Sequence, residues 1–370
     1  MPKYTWTFTY NATSITSKVL SFNLQFGRQQ YLDQYPAGQI ILTIDNANNY
    51  AGTFQYGGEI EANIDGSPLA TYTIESIVYE DYPGGTGLNT ATIVATDALG
   101  RAGRAYADAY SLTQTFTGDQ LEQFNSPTGP LPANVDIDST GVTDSTAAAT
   151  TYTGSILNYI NLAQTTERGY IWVSGSKIYF LGRKYVSTGS MLTVGLGRTT
   201  STTQIAYQDF QRIEAGQQYI NTATIQPGAV AAQTAVNTTS KTTYGPASYS
   251  SATVDYNTTQ ALGNAQWIVN TFGDPNVLRF EVGFQDVAQN ATALTDFRNI
   301  FTGFNKKVNL SYTVPGGSST TVAAFMEGGS FSGTPASTYV RLNLSPLTYY
   351  QFFTLNSTSL GILDTSRLGW

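Results

Sequence analysis

Residues 4–10 read YTWTFTY, so that Tyr4, Trp6, Phe8 and Tyr10 alternate with threonines. A period of two sends all four rings to one side of an extended chain, the pattern of a strand with one buried face. Working outward, further strands are expected at 39–44 (QIILTI), 59–64, 70–80 and 89–96, with Pro83-Gly84-Gly85 and Gly87 marking a loop between the last two. That spacing suits a small barrel or sandwich. The composition agrees: 41% of residues are apolar and only 12% charged, and 25 Tyr and 35 Gly suit pleated, half-buried surfaces and the turns between them.

Beyond residue 111 the texture changes. Thr117-x-x-Gln120 resembles a capping box opening a short helix through Leu121 and Phe124. The Pro-, Gly-, Ser- and Thr-rich stretch 125–151 reads as a long loop. Tyr152, Ile156, Tyr159, Ile160 and Ala163 recur at helical spacing and predict a helix over 153–166, followed by a hairpin turning at Ser174-Gly175-Ser176. A strand is expected at 220–226. The low-charge segment 227–251 reads as an extended loop, expected to order on assembly. Leu262, Ala265, Val269 and Phe272 predict a helix over 257–272, and strands are expected again at 277–285, 306–313, 320–326, 338–344 and 350–355. The chain thus runs β, then α/β, then β.

The absences narrow the function. The 370 residues contain no histidine and no cysteine, which removes the usual general base, the commonest metal ligand and the most easily activated nucleophile. A formal charge of −7 gives no basic footprint for stable nucleic-acid binding. The start, MPKYTW, lacks a secretory signal, and no apolar run approaches the ~20 residues of a membrane helix, so no membrane anchor is expected. The triplets Asn11-Ala12-Thr13 and Asn356-Ser357-Thr358 are the chance yield of an Asn- and Thr-rich chain.

Each remaining constellation has a plainer reading. Asp136, Asp138 and Gly141 begin like a calcium loop, but Ala147 stands where a bidentate Glu belongs, and a solvated loop is the better account. Without histidine, a carboxylate-only Mg²⁺ or Ca²⁺ site is the ordinary metal option, and no dense acidic cluster offers one. Glu75, Glu80, Asp81 and Asp97 would serve a two-carboxylate hydrolase, yet they read as strand ends and caps. Gly27-Arg28 and the run Asp97, Gly100, Arg101, Gly103, Arg104 set Gly beside Arg without opening a phosphate-binding helix, and read as turns with exposed or interface-pairing arginines. No catalytic, metal or cofactor residues are therefore assigned, and no cofactor is expected.

The stretch 18–46 (KVLSFNLQFGRQQYLDQYPAGQIILTIDN), with Gly27, Arg28, Ala37, Gly38 and Asn46, resembles the opening of bacteriophage minor tail proteins of the tail-tip or baseplate hub type. TATIVATDALGRAGR (90–104), ERGYIWVSGSKIYFLGR (167–183), YINTATI (219–225), Tyr244-Gly245 and FGDPNVLRFEV (272–282) follow in the same order, and LNSTSLGILDTSRLGW (355–370) is the most specific match. The likeness lapses at 297–308, which leaves the boundary of the last barrel open. The resemblance implies a mainly β chain with an α/β insert: a first tube-like β-barrel over 1–108, the insert over 109–200, a second barrel over 201–345 and a C-terminal segment over 346–370. It further implies a structural virion protein, a homotrimer at the distal tail tip that adapts sixfold to threefold symmetry around the DNA channel. Its neighbours would be the distal tail or tube protein, the tape-measure protein and fibre or tip proteins, with assembly in the host cytoplasm. The alternatives are a receptor-binding tip protein stacking host glycans on its tyrosines and a carboxylate-based cell-wall hydrolase.

Overall fold

The computed structural model describes residues 3–47, 53–80, 89–139, 143–188, 191–214, 218–275, 278–303 and 306–350. The expected loop at 83–87, the strand at 350–355 and the closing motif lie outside or at the limit of these residues.

The ring-bearing segment is the strand Trp6–Tyr10, with Trp6, Phe8 and Tyr10 buried. It pairs with Glu59–Ile64, and the ladder continues antiparallel through Ser67–Glu80, Thr90–Thr96, Gln39–Asp45 and Val19–Gly27. Strict alternation decides these strands: Ile40, Leu42 and Ile44 are buried while Gln39, Ile41, Thr43 and Asp45 are only partly so. In the second half, Ser319–Thr334 pairs with Lys307–Thr313 and with Ser337–Pro346, which in turn pairs with Leu278–Gln285.

The two halves meet edge to edge. Phe22–Gly27 pairs antiparallel with Gly328–Gly333, so the N-terminal and C-terminal strands form one sheet of 14 strands among the described residues. One apolar core accordingly mixes residues of both halves, with Trp6 and Phe26 against Phe331 and Phe26 against Phe301. Ring centroids 4.7–5.0 Å apart at steep angles hold Phe331 between Phe301 and Trp6.

A second core gathers the insert. The helix Ile156–Glu167 turns Ile156, Tyr159, Ile160 and Ala163 inward, and Ser155 caps it by accepting from the Asn158 N–H. The hairpin Tyr170–Ser174 and Lys177–Leu181 packs beside it. The helix Thr258–Phe272, capped by Asn257, contributes Trp267, Ile268 and Phe272 to the same core. Asn264 on that helix donates to the Thr166 carbonyl at 3.0 Å, tying the two helices together.

Three expectations are corrected. The segment 227–251 carries the strand Gln233–Val236, the helix Thr238–Tyr244 and most of the strand Ser248–Thr253. Its small residues let Ala235, paired with Ala223 of the neighbouring strand, lie close under the Thr258–Phe272 helix, and Asn237 caps the short helix through the Ser240 N–H. The segment 125–151 is interrupted by the strands Asp136–Asp138 and Thr146–Ala147. The helix Thr117–Glu122 forms without its capping box: Thr117 donates to Glu167, and Gln120 donates to the carbonyls of Thr113 and Ala148. Both side chains are buried and serve tertiary contacts rather than the local cap.

Candidate functional site

The Gly27-Arg28 pair stands where both halves and the insert converge. Gly27 has φ +69°, a left-handed conformation, and a Cβ there would lie 2.3 Å from the Glu327 carbonyl oxygen. Gly328 opposite is equally confined, its Cβ position 2.5 Å from the Phe26 carbonyl. Two glycines face each other because the seam brings two backbones too close for side chains.

Arg28 is expected at a turn with an exposed or interface-pairing guanidinium, but it is 2% exposed. Its Nε donates to Glu327 at 2.8 Å and its Nη2 to the Tyr350 hydroxyl at 3.1 Å, while Tyr350 donates to Glu327 at 2.9 Å. The guanidinium also lies 4.9 and 4.6 Å from the ring centroids of Tyr31 and Tyr35. Burial opposes the cation, but Glu327 and the tyrosines raise the Arg28 pKa above its ordinary value. Burial first, then Glu327, raises that of Tyr350. The cluster reaches the insert: Tyr31 donates to the Arg168 carbonyl at 2.7 Å, and the Asn161 side chain bonds the Tyr35 N–H and carbonyl at 2.9 and 3.2 Å. Arg28 is therefore a structural pin. Its partner Glu327, 299 residues away, carries no sequence signal that periodicity reveals.

Ala37-Gly38 leads to a second contact. The Asp97 N–H donates to the Gly38 carbonyl at 3.0 Å, and a Cβ on Gly38 would meet the Asp97 carboxylate at 2.4 Å. Asp97 caps the helix Ala98–Arg104 through the Leu99 and Gly100 N–H groups. The run 97–104 is thus a short helix rather than a turn. The expected role of Asp97 as a cap holds, but the residue is 4% exposed, and burial pushes its pKa up to about 7 against those hydrogen bonds. Arg101 is buried and pairs with Glu59 at 3.0 Å, and Arg104 pairs with Glu75.

The other acids do not converge. Glu80 accepts from Thr90 at 3.1 Å on the exposed end of its strand, and Asp81 lies outside the described residues. Asp136 and Asp138 lie on a strand parallel to Lys177–Leu181 and both meet Lys177, at 3.1 and 3.4 Å; Ala147 pairs with Thr115 on another sheet, and Gly141 is outside the described residues. Among the described residues, no group of three or more acidic side chains has a metal-binding arrangement. No helix there is long and apolar enough to cross a membrane.

The outward face of the seam carries an extended feature. Arg341, Ser330, Gln25, Gln39 and Thr96 are successive cross-strand partners on five neighbouring strands. They floor a cleft of about 820 Å³ walled by the 28–37 loop. Arg341 is paired with Glu281, so this floor carries no free cation among the described residues.

This mainly β fold, with strands from both halves of the chain in one sheet and an α/β insert, is the fold of phage tail proteins. A tail protein from Neisseria meningitidis superposes with a TM-score of 0.63 over 92% of this chain and 96% of its own, at 11% identity. The 43 kDa tail protein of prophage MuSo2 from Shewanella oneidensis gives 0.61 over 95% and 98%, at 9% identity. The E. coli c3393 protein, described as a component of the type VI secretion system with structural similarity to the T4 tail proteins gp27 and gp5, gives 0.51 over 92% and 76%, at 9% identity. No family model and no curated protein matches the sequence.

Proposed function

We propose that the chain is a structural virion protein of the tail-tip hub type, a homotrimer closing the distal end of the tail tube with two tube-like barrels per subunit. The observation that carries this reading is the seam. A hub that turns sixfold into threefold symmetry needs two strand-rich units per chain held at a fixed angle, and the pairing of Phe22–Gly27 with Gly328–Gly333 joins the two halves rigidly. The row Arg341, Ser330, Gln25, Gln39, Thr96 then faces the channel. Amides, hydroxyls and a paired arginine give passing DNA no cationic hold. The partners are the distal tail or tube protein on one side and the tape-measure and fibre or tip proteins on the other, in a virion assembled in the host cytoplasm.

Native mass measurement tests the oligomer, and imaging of the particle tests its position. Three times the 39.9 kDa chain mass and density on the tail axis are expected. A monomer at assembly concentrations, or density projecting sideways from the tail, would refute the hub.

A further inference from the structure

A second cleft, of about 420 Å³, lies between the 30–33 loop, the segments 218–220 and 247–249 and the C-terminal strands, and meets the first cleft at Asp33. Its base is a cluster of buried rings, Tyr31, Phe272 and Tyr349, with centroids 5.1–6.1 Å apart. Tyr219 and Tyr249, both half-buried, also line it. The phenolic hydroxyls of this group are engaged elsewhere. Tyr31 donates to the Arg168 carbonyl at 2.7 Å, Tyr219 to the Tyr244 carbonyl at 2.6 Å and Tyr349 to the Leu278 carbonyl at 3.1 Å. With those oxygens tied back, the rings offer carbon surface to whatever enters.

The cleft also holds an uncompensated cation. Arg28, Arg101, Arg104, Arg212 and Arg341 each meet a glutamate, whereas Arg279, on the cleft wall, has no ion pair or side-chain hydrogen bond among the described residues. Its Nε is buried without a partner. The one carboxylate in the described lining, Asp33, is occupied by the main-chain and side-chain N–H groups of Gln30 at 3.2 and 3.0 Å. Aromatic carbon surface beside an unpaired guanidinium matches a ligand with an apolar C–H face and an anionic substituent. Clefts of ~300–1,000 Å³ take small ligands of this kind.

We propose that this cleft binds an acidic saccharide, with a sugar ring against Tyr219 and Tyr249 and its carboxylate on Arg279. Such a site gives a tail protein a means of holding a charged cell-surface glycan.

Saturation-transfer NMR on the full-length protein, with a galacturonic acid trisaccharide and a neutral galactose trisaccharide as probes, tests the assignment. The acidic sugar is expected to receive saturation and to bind about tenfold more tightly than the neutral one. Arg279→Gln should abolish that preference, and Tyr249→Leu should weaken both sugars about tenfold. Arg279→Gln removes a guanidinium that makes no ion pair or side-chain hydrogen bond among the described residues, and an unchanged unfolding midpoint confirms that the variant folds; the preference of the parent protein decides the matter without any variant. No transfer from either sugar, equal affinity for both, or an Arg279→Gln protein that keeps the preference would each overturn the proposal. The oligomer mass of the same samples separates a failure here from a failure of the hub reading.

Discussion

Arg28 and Glu327 form an ion pair with both side chains fully buried. Such a pair adds little over a well-packed apolar replacement, because desolvation offsets most of the attraction, but removing one partner strands the other charge. Glu327→Gln is therefore expected to cost about 3–5 kcal/mol, read as a lowered denaturant midpoint, while an Arg28→Met/Glu327→Leu double variant recovers most of the loss. A single variant as stable as the parent would show that the pair does not hold the junction. Three other buried groups make stability depend on pH. Burial pushes the Asp97 and Glu167 carboxyls up to about 7, and burial brings the Lys306 amine down to about 7. A carboxyl with a raised folded-state pKa contributes stability that is complete below its ordinary value near 4 and is lost as pH rises through 7. A lysine with a lowered pKa contributes stability that is complete above its ordinary value near 10.5 and is lost as pH falls toward 7. Together they place a stability minimum near neutral pH. Unfolding midpoints measured from pH 4 to 10 should show Asp97→Asn making the acid limb shallower, with the Glu167 contribution left, and Lys306→Met flattening the alkaline one; parallel profiles for parent and variants would contradict the assignment.

At the level of elements, legibility followed periodicity. The strands Trp6–Tyr10, Gln39–Asp45 and Glu59–Ile64 and the helices Ile156–Glu167 and Thr258–Phe272 alternate or recur on one face, so their sequences announce them. The segments misread as loops are those where composition stood in for pattern. In Gln233–Val236 the buried residue is Ala235, too small to register as a core position, and its place is set by the helix that packs over it. In Asp136–Asp138 the strand is made by its neighbour: Ile137 pairs with Ile178 across a three-residue parallel ladder flanked by two acids that share Lys177. Thr117 and Gln120 fit a local cap by spacing, yet tertiary partners claimed both. The Gly27-Arg28 motif was visible, but its meaning was not. A glycine at positive φ and a buried arginine are explained by Glu327 and Gly328, which only the completed sheet brings to them.

That sheet governs the whole molecule. Val19–Gly27 lies between Gln39–Asp45 on one side and Ser319–Thr334 on the other, so its second edge is covered by a strand about 300 residues away in sequence. The core beneath it is shared too: Trp6 and Phe22 pack against each other, and Trp6 and Phe26 pack against Phe331. A strand-rich unit cut at residue 108 would expose the main-chain groups of Phe22–Gly27 along with the rings that Phe331 covers. An uncovered apolar strand edge pairs with whatever is near, usually another copy of itself. Residues 1–108 expressed alone are thus expected to aggregate or to melt without a cooperative transition, and co-expression of residues 109–370 should restore a soluble, cooperatively folding complex. A fragment 1–108 that stays monomeric and unfolds in one sharp transition would mean that the first barrel stands by itself, and that the seam is an attachment between finished units rather than part of the fold.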